Sequence, residues 1–146
     1  MKTGKFTQYA NEAAQRKEHA LTAGKNGMIP HDLWRRLIPI AMEYDRGNAD
    51  MALLYSYLVA NVNGQPDNDR YMSAFMSVER IANETRIGRN RVAKLADALE
   101  ACGLLRTAFD YAGNKRDKLY YPQYYSALTD EEVHEGMAKW AQKHAK

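Results

Sequence analysis

The sequence predicts a mainly α-helical protein with a small β hairpin. Three observations carry that reading. Apolar side chains recur at helical spacing from Met51 to Val62. The stretch "ANETRIGRNRVAKL" at 82–95 joins two short apolar stripes across a break at "RIG". Two apolar-aromatic runs, "LLRTAFDY" and "KLYYPQYY", flank "AGNKRD" at 112–117, where Gly-Asn is a turn signal.

In chain order, residues 1–28 form a polar N-terminal arm ending in "TAGKNG". A short helix around 8–22 fits it, but its apolar content is too thin to fix a place in a core. In "PHDLWRRLIPIAMEYDRG", Trp34, Leu37, Ile38 and Ala41 have helical spacing. Pro39 lies inside this pattern and should kink or split the helix, which Gly47 ends. In "NADMALLYSYLVANVNG", Met51, Leu54, Tyr55, Leu58, Val59 and Val62 make the clearest buried stripe, with Asn48 as N-cap. "NGQPDND" is a loop, and "YMSAFM" at 71–76 reads as a short strand.

Ser77 is the N-cap of the next helix, whose stripe is Val78, Ile81 and Ala82. A further helix runs from about Arg89 to Ala101, with Val92, Leu95, Ala96 and Leu99 on one face and Gly103 as its stop. The hairpin follows. "TDEEVHEGMAKWAQKHAK" closes the sequence, with Thr129 and Glu132 in capping-box spacing and Val133, Met137, Trp140 and His144 on one face. The organisation is an arm over 1–28, a central domain over 29–128 and a C-terminal helix over 129–146.

Composition sets outer bounds. The 146 residues are 45% hydrophobic and 27% charged, enough for one domain with a core of its own. No apolar run approaches the roughly 20 residues that span a bilayer, and the N-terminus lacks a signal-peptide core. Cys102 stands alone, which excludes an internal disulfide and fits a reducing cytoplasm. The net charge is only +3, but residues 70–118 hold ten Lys/Arg against six Asp/Glu. Residues 129–146 hold three Lys/Arg against four Asp/Glu. The basic excess therefore sits mid-chain, where a footprint for nucleic acid is to be sought.

The order helix, short strand, helix, tight turn, helix, strand, basic loop, strand resembles a winged helix-turn-helix domain. "SVERIANETRIGRNRVAKLADALEACGLLR" carries the likeness, through Ala82, Ile87, Val92 and the "LEACGLL" exit. The resemblance covers about residues 49–122. It is nearest to the N-terminal domains of plasmid and phage replication initiators and replisome organisers, and to bacterial regulators. Such domains usually have Gly where Arg86 stands and Ser where Gly88 stands.

The resemblance implies sequence-specific binding of double-stranded DNA. The plasmid or phage process would be replication, partition or maintenance; the alternative is a transcriptional repressor. Arg89, Asn90, Arg91 and Lys94 are the expected major-groove residues, since Arg reads guanine and Asn reads adenine. Asn90 and Lys94 point away from the stripe of Val92, Leu95, Ala96 and Leu99. Lys115, Arg116 and Lys118 would hold the backbone from the hairpin, with Ser77 and Arg86 as further phosphate contacts. The C-terminal helix, or the N-terminal helices, would make a homodimer.

Other readings stand beside this one. A basic helix face is commonly solvated surface, and a winged helix can be a protein-interaction module. Tyr120, Tyr121, Tyr124 and Tyr125 either stack on unpaired bases or pack the hairpin onto the core. His19, His31, His134 and His144 lack metal-ligand spacing, and Cys102 reads as a small buried hydrophobe. No Gly-rich phosphate loop and no nucleophile triad is present in the sequence, so neither a cofactor nor enzymatic activity is expected.

Overall fold

The computed structural model describes residues 4–110 and 117–144. Helix α1, Lys5–Ala23, comes first and buries none of its residues. The chain then enters a helical segment from residue 31, in which Leu33–Leu37 form a wide π turn leading into α2, Ile38–Met42. Pro39 explains the wide turn. It has no N–H to give, and its ring would press on the carbonyl four residues earlier in a regular helix. The helical segment thus divides beside Pro39, with π geometry over Leu33–Leu37 and α geometry from Ile38 onward. Leu33, Leu37, Ile38, Ile40 and Ala41 face the core. Trp34, expected among them, is 52% exposed, and Leu33 takes the buried place.

Arg46 and Gly47, both at positive φ, turn the chain into α3, Asp50–Ala60. Asn48 Oδ1 accepts from the Asp50 N–H at 2.7 Å, so it caps the helix one residue ahead of the formal N-cap, Ala49. Met51, Leu54, Tyr55, Leu58 and Val59 are buried as their spacing predicts. Val62 lies beyond the helix end and is half-buried. The expected strand at 71–76 contracts to one bridge, in which Ala74 exchanges both backbone bonds with Tyr120. The residues just before it are held otherwise. Met72, at φ 69°, donates to Asn63 O, and Ser73 donates to Arg70 O.

Helices α4, Val78–Thr85, and α5, Arg89–Ala101, follow. Gly103, at φ 78°, ends α5, with Leu104 N–H bonded back to Leu99 O. Strands β1, Leu105–Asp110, and β2, Asp117–Pro122, pair antiparallel with Leu105 opposite Pro122. Helix α6, Asp130–His144, opens on the predicted capping box. Glu132 N–H donates to Thr129 Oγ1 at 3.1 Å, and Thr129 N–H donates to Glu132 Oε1 at 2.9 Å.

Packing unites these pieces. Helix α5 lies against α3, α4 and α6, and α6 also lies against α2. One core collects Leu33, Leu37, Tyr55, Leu58, Ile81, Leu95, Leu99, Tyr120, Met137 and Trp140. The C-terminal helix is thus part of the central domain's core. Arg36 strengthens its attachment, reaching Asp32 at 2.8 Å and Asp130 at 2.9 Å. Those two carboxylates hold its guanidinium well above the ordinary arginine pKa. The architecture is mainly helical with one small hairpin, in a winged-helix-like layout.

Candidate nucleic-acid interface

The pair α4–α5 is joined by three residues, and each has a local physical reason. Ser77 caps α4 by accepting from the Arg80 N–H at 3.1 Å. At the other end Thr85 is buried, donating to Ile81 O and accepting from the Ile87 N–H. Arg86 takes the left-handed conformation at φ 66°, ψ 15°, the geometry that usually selects Gly. Ile87 is 3% exposed and plugs the turn into the core. Gly88 then starts α5 without a side-chain cap. The first N–H groups of α5 are therefore left without a side-chain acceptor, the polarity that favours an anion.

Arg86, Arg89 and Asn90 are exposed at this leading end, with Ala93 beside them on the open face. Arg89 Nη2 meets Glu79 Oε1 at 2.7 Å, but both side chains are more than half exposed. A pair so exposed contributes little and is readily exchanged for a phosphate. The Ser77 hydroxyl is at the surface but engaged as the α4 cap.

Two expected groove residues stand elsewhere. Arg91 turns away from the open face and donates from Nη2 to Asp45 Oδ2 at 2.8 Å, while its Nε lies 3.5 Å from Asp50 Oδ2. Lys94 points to the seam with α6, and its backbone carbonyl accepts from Trp140 Nε1 at 2.7 Å. For Lys94 the reason is α6. Gly136 brings the two helices so close that a Cβ there would lie 3.0 Å from Ala101 O. Lys143 Nζ reaches Asp97 Oδ2 at 3.2 Å, and His144 Nε2 reaches the same oxygen at 3.3 Å. Lys94, expected on the outward face, thus stands with Asp97 and Ala101 on the side of α5 against which the C-terminal helix packs. The same packing buries Val133, Met137 and Trp140 within the chain, so α6 has no apolar face left for a homodimer.

On the hairpin, Lys118 is half-buried, its ammonium 5.3 Å from the Tyr120 ring centroid and 6.0 Å from that of Phe109. Lys115 and Arg116 lie outside the described residues. Tyr120 is 1% exposed and packs the hairpin on the core, whereas Tyr125 is 79% exposed. Sequence reasoning passed over two exposed cations. Arg80 lies on the first turn of α4, its Nε 3.3 Å from Glu84 Oε1. Arg106 lies on β1.

The groups that resemble catalytic chemistry are otherwise occupied. Tyr44 OH and His134 Nδ1 are 2.8 Å apart in a hydrogen bond. Cys102 is buried, and burial pushes its thiol up to about 12. Among the described residues, no three His, Cys, Asp or Glu side chains cluster to hold a metal. No helix among them is long and apolar enough to cross a membrane. Compared with protein-family models, curated proteins and solved structures, the chain matches none.

Proposed function

We propose that this chain binds double-stranded DNA, with the leading turn of α5 in the major groove. The observation that supports it most is the open end of that helix. Arg86, Arg89 and Asn90 share it with N–H groups that have no side-chain cap, and Glu79, the acid that meets Arg89, is in an exposed pair. A helix of this kind enters the groove end-on, its N-terminal residues nearest the base edges. Asp97 and the covered later turns of α5 then stay clear of phosphate. Arg89 and Asn90 are the base-reading candidates. Arg86 and Lys118 are the backbone candidates, joined by Lys115 and Arg116 of the hairpin loop. Arg91 and Lys94 are left out of this set because the fold commits Arg91 to Asp45 and turns Lys94 to the α6 seam.

A role in plasmid or phage replication, partition or maintenance rests on the sequence resemblance alone, and repression of transcription is the alternative. Sites selected from a random duplex library separate them: iterated sites favour an origin or centromere, and one palindrome favours a promoter. Fluorescence anisotropy on the selected duplex tests the site. Arg89→Ala/Asn90→Ala should cost roughly 2–6 kcal/mol for the preferred sequence, at about 1–3 kcal/mol per base reader. Unchanged binding by that double variant would remove α5 from the interface and favour the protein-interaction module.

A further inference from the structure

A second recess lies on the other side of α5. The turn from α2 to α3, the first half of α5 and the end of α6 enclose a cleft of about 550 Å³. That volume falls within the roughly 300–1,000 Å³ typical of small-molecule sites. Its acids are already matched. Asp45 and Asp50 both face Arg91, at 2.8 Å and 3.5 Å. Two cations on its wall are not. Among the described residues, neither Arg46 nor Lys94 meets a carboxylate. The uncommitted charge in the cleft is therefore positive. Its apolar wall comes from Tyr44, Trp140 and Ala141. The Trp140 ring is fixed by its bond to Lys94 O, so the aromatic surface and the lysine are held together.

We propose that this cleft binds a small anion carried on a planar ring, an aromatic carboxylate or phosphate, with its charge at Lys94 and Arg46 and its ring beside Trp140. An ammonium and a guanidinium in a partly enclosed site recognise an oxyanion by charge-assisted hydrogen bonds. The part of Trp140 left accessible, 8%, and half-buried Tyr44 add apolar contact that a bare inorganic ion cannot use. A cationic ligand is disfavoured, because it would have to draw Asp45 or Asp50 away from Arg91. The inference does not depend on DNA binding, since Arg86, Arg89 and Asn90 are not part of the cleft.

The fluorescence of Trp140 reads the site directly. The chain has two tryptophans, and Trp34 is exposed, so Trp34→Phe leaves Trp140 as the sole reporter. Benzoate, phenyl phosphate, acetate and inorganic phosphate are titrated into this protein. A saturable change with benzoate or phenyl phosphate is expected, and the tighter of the two identifies the head group. Lys94→Met, which keeps the apolar stem, should weaken it by about tenfold or more, and Lys94→Arg should retain it. The absence of a saturable change with either ring anion would overturn the proposal. So would an equal response to acetate or inorganic phosphate, or undiminished binding by Lys94→Met in protein whose circular dichroism is unchanged.

Discussion

Arg91 and Asp45, 46 positions apart, form an ion pair of 2.8 Å in which Asp45 is 8% exposed. The pair ties α5 to the turn between α2 and α3. Removing Arg91 leaves Asp45 largely buried without its cation, which costs more than losing a surface pair. Arg91→Ala should therefore lower stability by about 1–3 kcal/mol in urea unfolding. The ranking of DNA sites by affinity should be unchanged. Intact stability with altered site ranking would instead return Arg91 to the list of base readers.

What could be seen in the sequence were the local signals. Ser77, the Thr129–Glu132 box and Gly103 each act within a few residues, and the stripe on α3 needs only its own periodicity; Gly113 and Asn114 lie outside the described residues. What could not be seen were choices of partner. The narrow stripe of Val133, Met137 and Trp140 fits a dimer as well as a neighbouring helix, and only Gly136 against Ala101 shows which it meets. Nothing in the spacing of Arg91 points to Asp45. The outward side of α5 was drawn too wide because an isolated helical wheel does not know what covers it. The π turn before Pro39 was equally hidden, since a proline can be met by a kink or by a widened turn.

Arg86 carries backbone strain that its side chain does not need. It holds φ 66° between α4 and α5, where a non-Gly residue costs about 1 kcal/mol. Arg86→Gly should thus raise the stability measured by denaturant melts by up to about 1 kcal/mol. It should also weaken DNA binding through loss of a cation. A fall in stability would mean that the Arg86 side chain supports the turn.

Buried weak acids, Cys102 and Tyr55 among them, should lower the stability of the fold at alkaline pH. Burial raises the Cys102 thiol from an ordinary 9.0 to about 12 and the Tyr55 phenol from 10.0 to about 12. The Tyr55 hydroxyl also donates to Gln123 O at 2.9 Å. Both groups keep their protons longer folded than unfolded. Above their ordinary pKa values the unfolded chain binds fewer protons, so stability falls as pH rises. The contribution is complete below pH 9.0 and is lost progressively toward pH 12. Urea melts across that range should show the decline, and Tyr55→Phe should make it shallower. Native Cys102 should resist a thiol reagent at neutral pH until the protein is unfolded; rapid labelling of the native state would contradict its burial.

With α6 docked, α1 is the helix we propose for pairing between two copies of the chain. This helix of 19 residues buries nothing, and Phe6, Tyr9 and Leu21 are 78%, 58% and 69% exposed. A helix of that length is marginal in water without a packing partner. Phe6, Tyr9, Ala10, Ala13 and Ala20 recur at helical spacing, which suits pairing with the same helix of a second copy. Light scattering should give about twice 16.7 kDa, and Phe6→Glu/Tyr9→Glu should return it to a single chain. A wild-type mass of one chain at high concentration would exclude the pairing.

Contact between the leading end of α5 and nucleic acid would show in the salt dependence of binding. Anisotropy of a labelled duplex would be followed from low to physiological salt for wild type and for Arg86→Ala/Arg89→Ala. Wild-type affinity should be measurable and fall steeply with salt, and the slope for the variant should be shallower by about 1–2 in log–log units. No binding by wild type at low salt, or identical slopes for the two proteins, would contradict it.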